Sequence, residues 1–258
     1  MLYDMVDSFK KYLKTKFTYE TVRTYISNIK SLLYGQCLNF NIDNFEIQKV
    51  IDILAEVKYK GNFSKYKNAF LHFCNFLNIT LNDNYLNQIE RLESNTCKKH
   101  RKLKTVDFET IDKKISRLKN AKLKLSYQTM LATGLRVSEL AQITKGDCLI
   151  TGDELQFSFI AKGGSPSTVK ITKNEYPKLF ESLNTIIQIS KHKIFYSAIY
   201  LQTNAKKLGF GCHDLRRICS KTEYKKTKSK EAVRIKLRHS SIKTTNIYLK
   251  SEVKRKGA

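Results

Sequence analysis

Gly211-Cys-His-Asp-Leu-Arg-Arg217 and Leu237-Arg-His-Ser-Ser-Ile-Lys-Thr-Thr-Asn-Ile-Tyr248 are the stretches on which the reading of this chain turns. In the first, His213 and Arg216 stand three residues apart, so a helix would put them on one face. In the second, His239 precedes Tyr248 by nine residues, which on one unbroken helix would set them on opposite faces. The Ser240-Ser241 pair is therefore expected to cap a new helix and to let both side chains face inward. A partner stretch lies upstream, Ala132-Thr-Gly-Leu-Arg-Val-Ser-Glu-Leu140, with Arg136 and Glu139 expected on one helix face.

Taken one at a time these pairs mean little. Arg136 and Glu139 alone read as a surface ion pair worth about 0.3 kcal/mol, and a lone His213 reads as a structural histidine. Together they describe a chemistry. Two guanidinium forks can hold one phosphate and neutralise its non-bridging oxygens, where charge grows as a nucleophile attacks. Two histidines can hydrogen-bond that phosphate or move protons. The Tyr248 hydroxyl becomes a nucleophile once its proton is accepted and cations favour the phenolate. Lys162, at the end of an expected strand, can protonate a leaving oxygen from a mobile hairpin.

Charge points to the same partner. The 258 residues carry a net charge of +25, unevenly placed. Residues 1–95 hold 12 Lys/Arg against 10 Asp/Glu, and residues 96–258 the remaining 36 against 13. AT-rich coding explains Lys over Arg but not the missing acids, so a polyanion, nucleic acid, is the expected partner. A hydrophobic fraction of 41% supports real cores. There is no apolar run long enough for a membrane span, no signal-peptide layout at the N-terminus and no long basic amphipathic segment for a membrane surface, so the expected location is cytoplasmic. The six cysteines are scattered, which argues against a disulfide framework. Zinc through Cys212, His213 and Cys219 is a further reading, but the spacing matches no common site and no metal is expected.

Taken in order, residues 3–34 show apolar spacings of three and four and read as helical, with Thr18 able to cap the part that follows. Ile47–Glu56, Ser64–Leu77 and Leu81–Leu92 give further helices, so residues 1–94 read as an all-α bundle. Residues 95–104 form a basic linker suited to lie along a phosphate backbone. Residues 105–258 read as mostly α. They start with a helix capped by Thr105 or Asp107, followed by Leu123–Thr133, stopped at Gly134, and a helix from Leu135 to Ala141. Residues 155–160 and 168–172 alternate as a small antiparallel hairpin. Helices resume over Asn174–Ile189, around His213–Lys225, and after Lys230.

Arg136 within Thr133-Gly-Leu-Arg-Val-Ser-Glu-Leu140, Lys162-Gly163, His213-Asp-Leu-Arg216, and the run from His239 to Tyr248 resemble, in order, the catalytic motifs of the tyrosine recombinases, the phage-integrase and Xer-like family. The resemblance covers about residues 103–250. It implies a mainly α fold: an N-terminal all-α core-binding domain, and a C-terminal mostly α catalytic domain with a small antiparallel β-sheet. It implies that Tyr248 attacks a DNA phosphate to form a 3′-phosphotyrosyl bond and free a 5′-hydroxyl. Arg136, Arg216, His213 and His239 would hold the phosphate, Lys162 would be the general acid, and Glu139 would buttress the site. Neither ATP nor a metal is implied. Four protomers, or paired dimers, would assemble on two double-stranded DNA sites, each with two lobes closing on a duplex, with accessory proteins an open addition.

Three departures from the family pattern stand out. Arg238 occupies the place where the family usually has Gly before the second histidine, so it either alters a turn or adds a phosphate contact. Only a short polar segment follows Tyr248, and no arm-binding domain is expected before residue 1. Lys98, Lys99, Arg101, Lys102, Arg238 and Lys243 are the candidate DNA contacts. The expected function is site-specific strand exchange, Xer-like or in mobile-element integration and excision. The alternatives are a DNA-binding protein that keeps the fold without strand exchange and a type IB topoisomerase-like activity.

Overall fold

The computed structural model describes residues 2–34, 46–57, 60–97 and 108–249. The basic run that holds Lys98, Lys99, Arg101 and Lys102, and the caps expected at Thr105 and Asp107, lie outside the described residues. The chain divides into two compact units, residues 1–102 and 103–258. It is mostly helical, with a small three-stranded antiparallel sheet.

In the first unit α1 (Leu2–Lys14), α2 (Tyr19–Tyr34), α3 (Ile47–Ala55), α4 (Lys60–Phe76) and α5 (Asp83–Asn95) surround one apolar core. The single helical stretch expected over 3–34 is two helices. The Lys16 and Phe17 amides donate to the Leu13 carbonyl and end α1, and Thr18 starts α2, its hydroxyl 3.2 Å from that of Thr21. Phe9 meets Phe73 edge to face at 5.1 Å, which joins α1 to α4. Asn82 caps α5 by accepting the Tyr85 amide.

The second unit is organised around α7 (Ala121–Thr133). Most of this helix is buried, from Leu123 and Leu125 to Ala132 and Thr133, with Lys124, Gln128 and Leu131 half-buried along one side, as expected of a central helix. Its buried hydroxyls are satisfied locally: Ser126, Thr129 and Thr133 each donate to the carbonyl four residues back, at 2.7, 2.9 and 2.6 Å. Tyr127 donates to the Leu201 carbonyl at 2.8 Å. Around α7 come α6 (Phe108–Ser116), α8 (Val137–Gln142), α9 (Pro177–Ile189), α10 (Ala198–Lys207), α11 (Cys212–Thr227), α12 (Lys230–Leu237) and α13 (Ile242–Leu249). The sheet runs β1 (Cys148–Thr151), β2 (Glu154–Ile160), β3 (Pro166–Thr172), with Thr151 opposite Glu154 and Ile160 opposite Pro166.

Strand β1 and helix α10 have no counterpart among the elements expected from the sequence. Strand β1 has only four residues, and Leu149 and Ile150 on it are exposed, so no alternation marks it. Helix α10 buries only Leu201 and Ala205, too narrow a stripe to stand out, although Ser197 caps it through the Tyr200 amide. Helix α9 starts at Pro177 rather than Asn174, because proline is preorganised for the first turn.

Candidate active site

Gly134 ends α7 in the left-handed region, at φ 64°. The next residues turn the chain so that Arg136 becomes the N-cap of α8, with φ −70° and ψ 150°. This corrects the expectation that Arg136 and Glu139 share a helix face: Arg136 precedes the helix and Glu139 reaches back to it. Glu139 Oε2 accepts the Arg136 amide at 2.8 Å, and its Oε1 accepts Arg136 Nη1 at 2.6 Å. The carboxylate is 1% exposed. Burial works to raise its pKa, but the Arg136 amide and guanidinium, with Arg216 beyond, hold it below the usual carboxylate range.

Gly211 is the N-cap of helix α11, and its amide donates to Asp214 Oδ2 at 2.8 Å. One turn in, Arg216 is completely buried. Its Nη1 donates to the Gly134 carbonyl and its Nη2 to the Leu237 carbonyl, while Nε has no partner. Main-chain oxygens thus hold the fork between the end of α7 and the end of α12. Burial, and then the like charges of Arg136 and Arg238, lower its pKa to about 10. His213 is exposed at the start of the same helix. Partial burial of its ring, then Arg216, Arg217 and Arg136, hold its pKa below the ordinary histidine value.

The chain then leaves α12 through Arg238, in the left-handed region at φ 53° and ψ 47°. Ser241 opens α13, its Oγ accepting the Lys243 amide at 3.1 Å. That turn brings His239 and Tyr248 to one side, ring centroids 5.1 Å apart. His239 is 3% exposed, with Nδ1 3.0 Å from Thr245 Oγ1 and Nε2 buried without a partner. Burial first, then Arg216, Arg136 and Arg238, lower its pKa to about 4, so the imidazole is neutral at pH 7. Thr245, fully buried beneath it, went unnoticed in the sequence, where only its place six residues after His239 marks it.

Arg136, Glu139, Arg216, His239 and Tyr248 therefore meet, with His213 at the solvent side. Lys162 stands apart. It is exposed in the β2–β3 turn, beside Gly163 and Gly164 at φ 111° and 88°, and makes no ion pair among the described residues. Arg238 turns inward rather than toward an outer surface. Its Nη1 donates to the Lys236 carbonyl at 3.0 Å, its guanidinium lies 5.4 Å from the Phe159 ring centre, and its Nε and Nη2 are buried without partners. Lys243 is exposed on α13.

Cys212 and Cys219 do not join His213 in a cluster. Both are buried, burial pushes both thiols up to about 11, and Cys219 Sγ faces the Ala132 carbonyl. Among the described residues no three His, Cys, Asp or Glu side chains converge as a metal site would need, and no helix is long and apolar enough to cross a membrane.

No curated protein matches the sequence. Among solved structures, the fold is similar to that of a lambda integrase tetramer bound to a Holliday junction, at 17% identity over 96% of this chain and 76% of that one, with a TM-score of 0.67. It is similar to the XerH site-specific recombinase bound to a palindromic difH substrate, at 16% identity over 91% and 77%, TM-score 0.62. It is also similar to the Tn1549 transposon integrase in complex with transposon right end DNA, at 14% identity over 98% and 99%, TM-score 0.63. At such identities the likeness is one of fold. The profile described as the phage integrase family matches residues 101–255. That match takes in more than half of the chain and every residue of the cluster, and the chain belongs to the phage integrase family, the tyrosine recombinases.

Proposed function

We propose that this protein is a site-specific recombinase that cuts and rejoins DNA strands through a covalent link to Tyr248. The observation that carries the reading is the meeting of Arg136, Arg216, His239 and Tyr248 from three separate segments, with Arg216 Nε and His239 Nε2 buried and unpartnered. A buried guanidinium and a buried imidazole with open hydrogen-bonding atoms are costly unless an anion completes them. A DNA phosphate is the anion that the family and the basic charge call for.

In the step we propose, Tyr248 Oη attacks the phosphorus, the P–O5′ bond breaks, and a 3′-phosphotyrosyl bond forms. The proton on Oη passes to solvent, and the neutral His239 serves as a donor to the phosphate through Nε2. The departing 5′ oxygen takes a proton from Lys162, which the flexible β2–β3 turn carries to the DNA. Arg136 and Arg216 offset the charge that builds on the non-bridging oxygens, with His213 donating from the solvent side. Glu139 keeps Arg136 aligned. A 5′-hydroxyl from a partner strand then attacks the phosphotyrosine and restores the phosphodiester, so one bond is exchanged for another and no ATP or metal is needed. Residues 105–258 would carry this chemistry, residues 1–94 would grip the duplex, and the basic run of 95–104 would follow the backbone. Strand exchange needs two sites and so several protomers, and the Xer-like and mobile-element roles are both served by this chemistry.

The test is a duplex containing a site selected by the full-length protein from random sequence, nicked beside the cleavage point so that the short 5′ product diffuses away. Wild type gives a denaturation-resistant protein–DNA adduct, and Tyr248→Phe binds but gives none. Binding without an adduct in wild type makes this a DNA-binding protein without strand exchange and overturns the proposal.

A further inference from the structure

Buried polar atoms without partners are concentrated in one place. Of the five among the described residues, only Asn28 Nδ2 lies elsewhere; the others are Arg216 Nε, His239 Nε2, and Arg238 Nε and Nη2. Arg238 thus contributes more open donors than either of the two residues already assigned to the phosphate.

Its backbone supports the same conclusion. At φ 53° it lies in the region that glycine enters freely and an arginine enters under strain. A turn alone would be served better by glycine. The side chain is also placed with care. Nη1 is tied to the Lys236 carbonyl at 3.0 Å and reaches toward the Thr133 carbonyl at 3.5 Å. The guanidinium rests against Phe159 on β2, the strand that leads to Lys162. The local charge is unbalanced: Arg136, Arg216 and Arg238 act on one another, and Glu139 is the one carboxylate acting on both Arg216 and Arg238. A cluster of three guanidiniums and one carboxylate is completed by an anion.

We propose that Arg238 is a third guanidinium of the phosphate grip, its Nε and Nη2 taking a non-bridging oxygen of the phosphate that Tyr248 attacks. This rests on the strand-cleavage reading above and assigns a contact to a residue that the family's motif does not supply. Both atoms are closed to water in the DNA-free protein, so the groups covering them shift when DNA seats. The unpaired donors are then satisfied by the phosphate.

Arg238→Gly suits the test because glycine adopts this backbone conformation without strain, and a thermal melt of the variant checks that the fold is kept. Adduct formation by wild type, Arg238→Gly and Arg238→Lys is compared on two versions of the selected site. One carries the natural phosphodiester at the point of attachment, the other an uncharged methylphosphonate. On the phosphodiester, Arg238→Gly slows adduct formation about 100-fold, as loss of one preorganised donor does, and Arg238→Lys falls between. On the methylphosphonate, which has lost the charge that Arg238 would offset, wild type and Arg238→Gly differ by no more than a few-fold. Equal slowing on both substrates assigns Arg238 a structural role and overturns the inference, as does no slowing on either. If wild type forms no adduct at all, the strand-cleavage reading fails, and salt-dependent binding decides on Arg238 separately. A log–log slope reduced by about one in Arg238→Gly supports a phosphate contact, and an unchanged slope removes it.

Discussion

Gly134→Ala is the sharpest structural test of how the site is held. Gly134 has φ +64°, where a Cβ costs about 1–2 kcal/mol. The added methyl would also lie 2.4 Å from Leu237 Cδ2 and 3.2 Å from Cys219 Sγ. Leu237 is fully buried, so its methyl has little room to retreat, and overpacking of this kind adds about 1–3 kcal/mol. The expected loss is about 2–5 kcal/mol, a fall of roughly 4–20 °C in Tm for a unit of this size. The same displacement moves the Gly134 carbonyl that accepts Arg216 Nη1. A shift near 1 Å there is worth about 100-fold in rate, so adduct formation drops further than stability explains. Thermal unfolding reads the first effect and the nicked-site assay the second. Removing the obstructing methyls as well, in Gly134→Ala with Leu237→Ala, costs less than the two single changes together, by about 1–3 kcal/mol. A Tm within about 2 °C of wild type, or strict additivity in the double variant, refutes the reasoning.

Three further expectations follow from the same cluster. Glu139→Gln keeps the shape but leaves Arg136 and Arg216 without their buried counter-charge; the loss is about 3–5 kcal/mol, partly restored by phosphate in the buffer, and a Tm equal to wild type would sink this account of Glu139. His239 has a folded pKa of about 4 against an ordinary 6.5. The unfolded chain therefore takes up this proton first, and stability falls as pH drops from 6.5 toward 4, by at most about 3 kcal/mol from this group. Glu139, lowered from 4.5, acts only below that value. Denaturation midpoints between pH 7.5 and 4.5 measure the slope, and His239→Asn should flatten it; an unchanged slope removes His239 as its source. Lys162→Ala should slow cleavage more than binding and be rescued by a 5′-thio leaving group, since sulfur departs without a proton. Failure of that rescue moves the general-acid role to another residue.

Periodicity and caps made much of this molecule legible. The stop of α7 at Gly134, the hairpin of β2 and β3, and the restart of the chain at Ser241 each have a local cause, a left-handed residue, an alternating pair of strands or a hydroxyl cap, and each can be read from a few residues. What stayed hidden depends on tertiary placement. Arg136 sits before its helix instead of on it because Leu135 is drawn into the core and Glu139 reaches back. Thr245 becomes a partner of His239 only through the turn between α12 and α13. Nothing in the order of residues shows that Arg216 would spend its fork on two main-chain carbonyls, or that Arg238 would turn inward. The catalytic motifs were visible as a spacing; the donors left open among them were visible only in three dimensions.

Tyr248 rides on α13, eight residues and about two turns of helix. A helix that short has no standing of its own in water, because the cost of nucleation exceeds what a few internal hydrogen bonds return. Its order comes from docking, through Thr245 and Leu249, which are buried while Ile242 and Ile247 are exposed. The position of the nucleophile is therefore a matter of occupancy. The fraction of molecules with α13 docked multiplies every rate constant of cleavage, so a site occupied about one-tenth of the time would read as tenfold slower with its chemistry untouched.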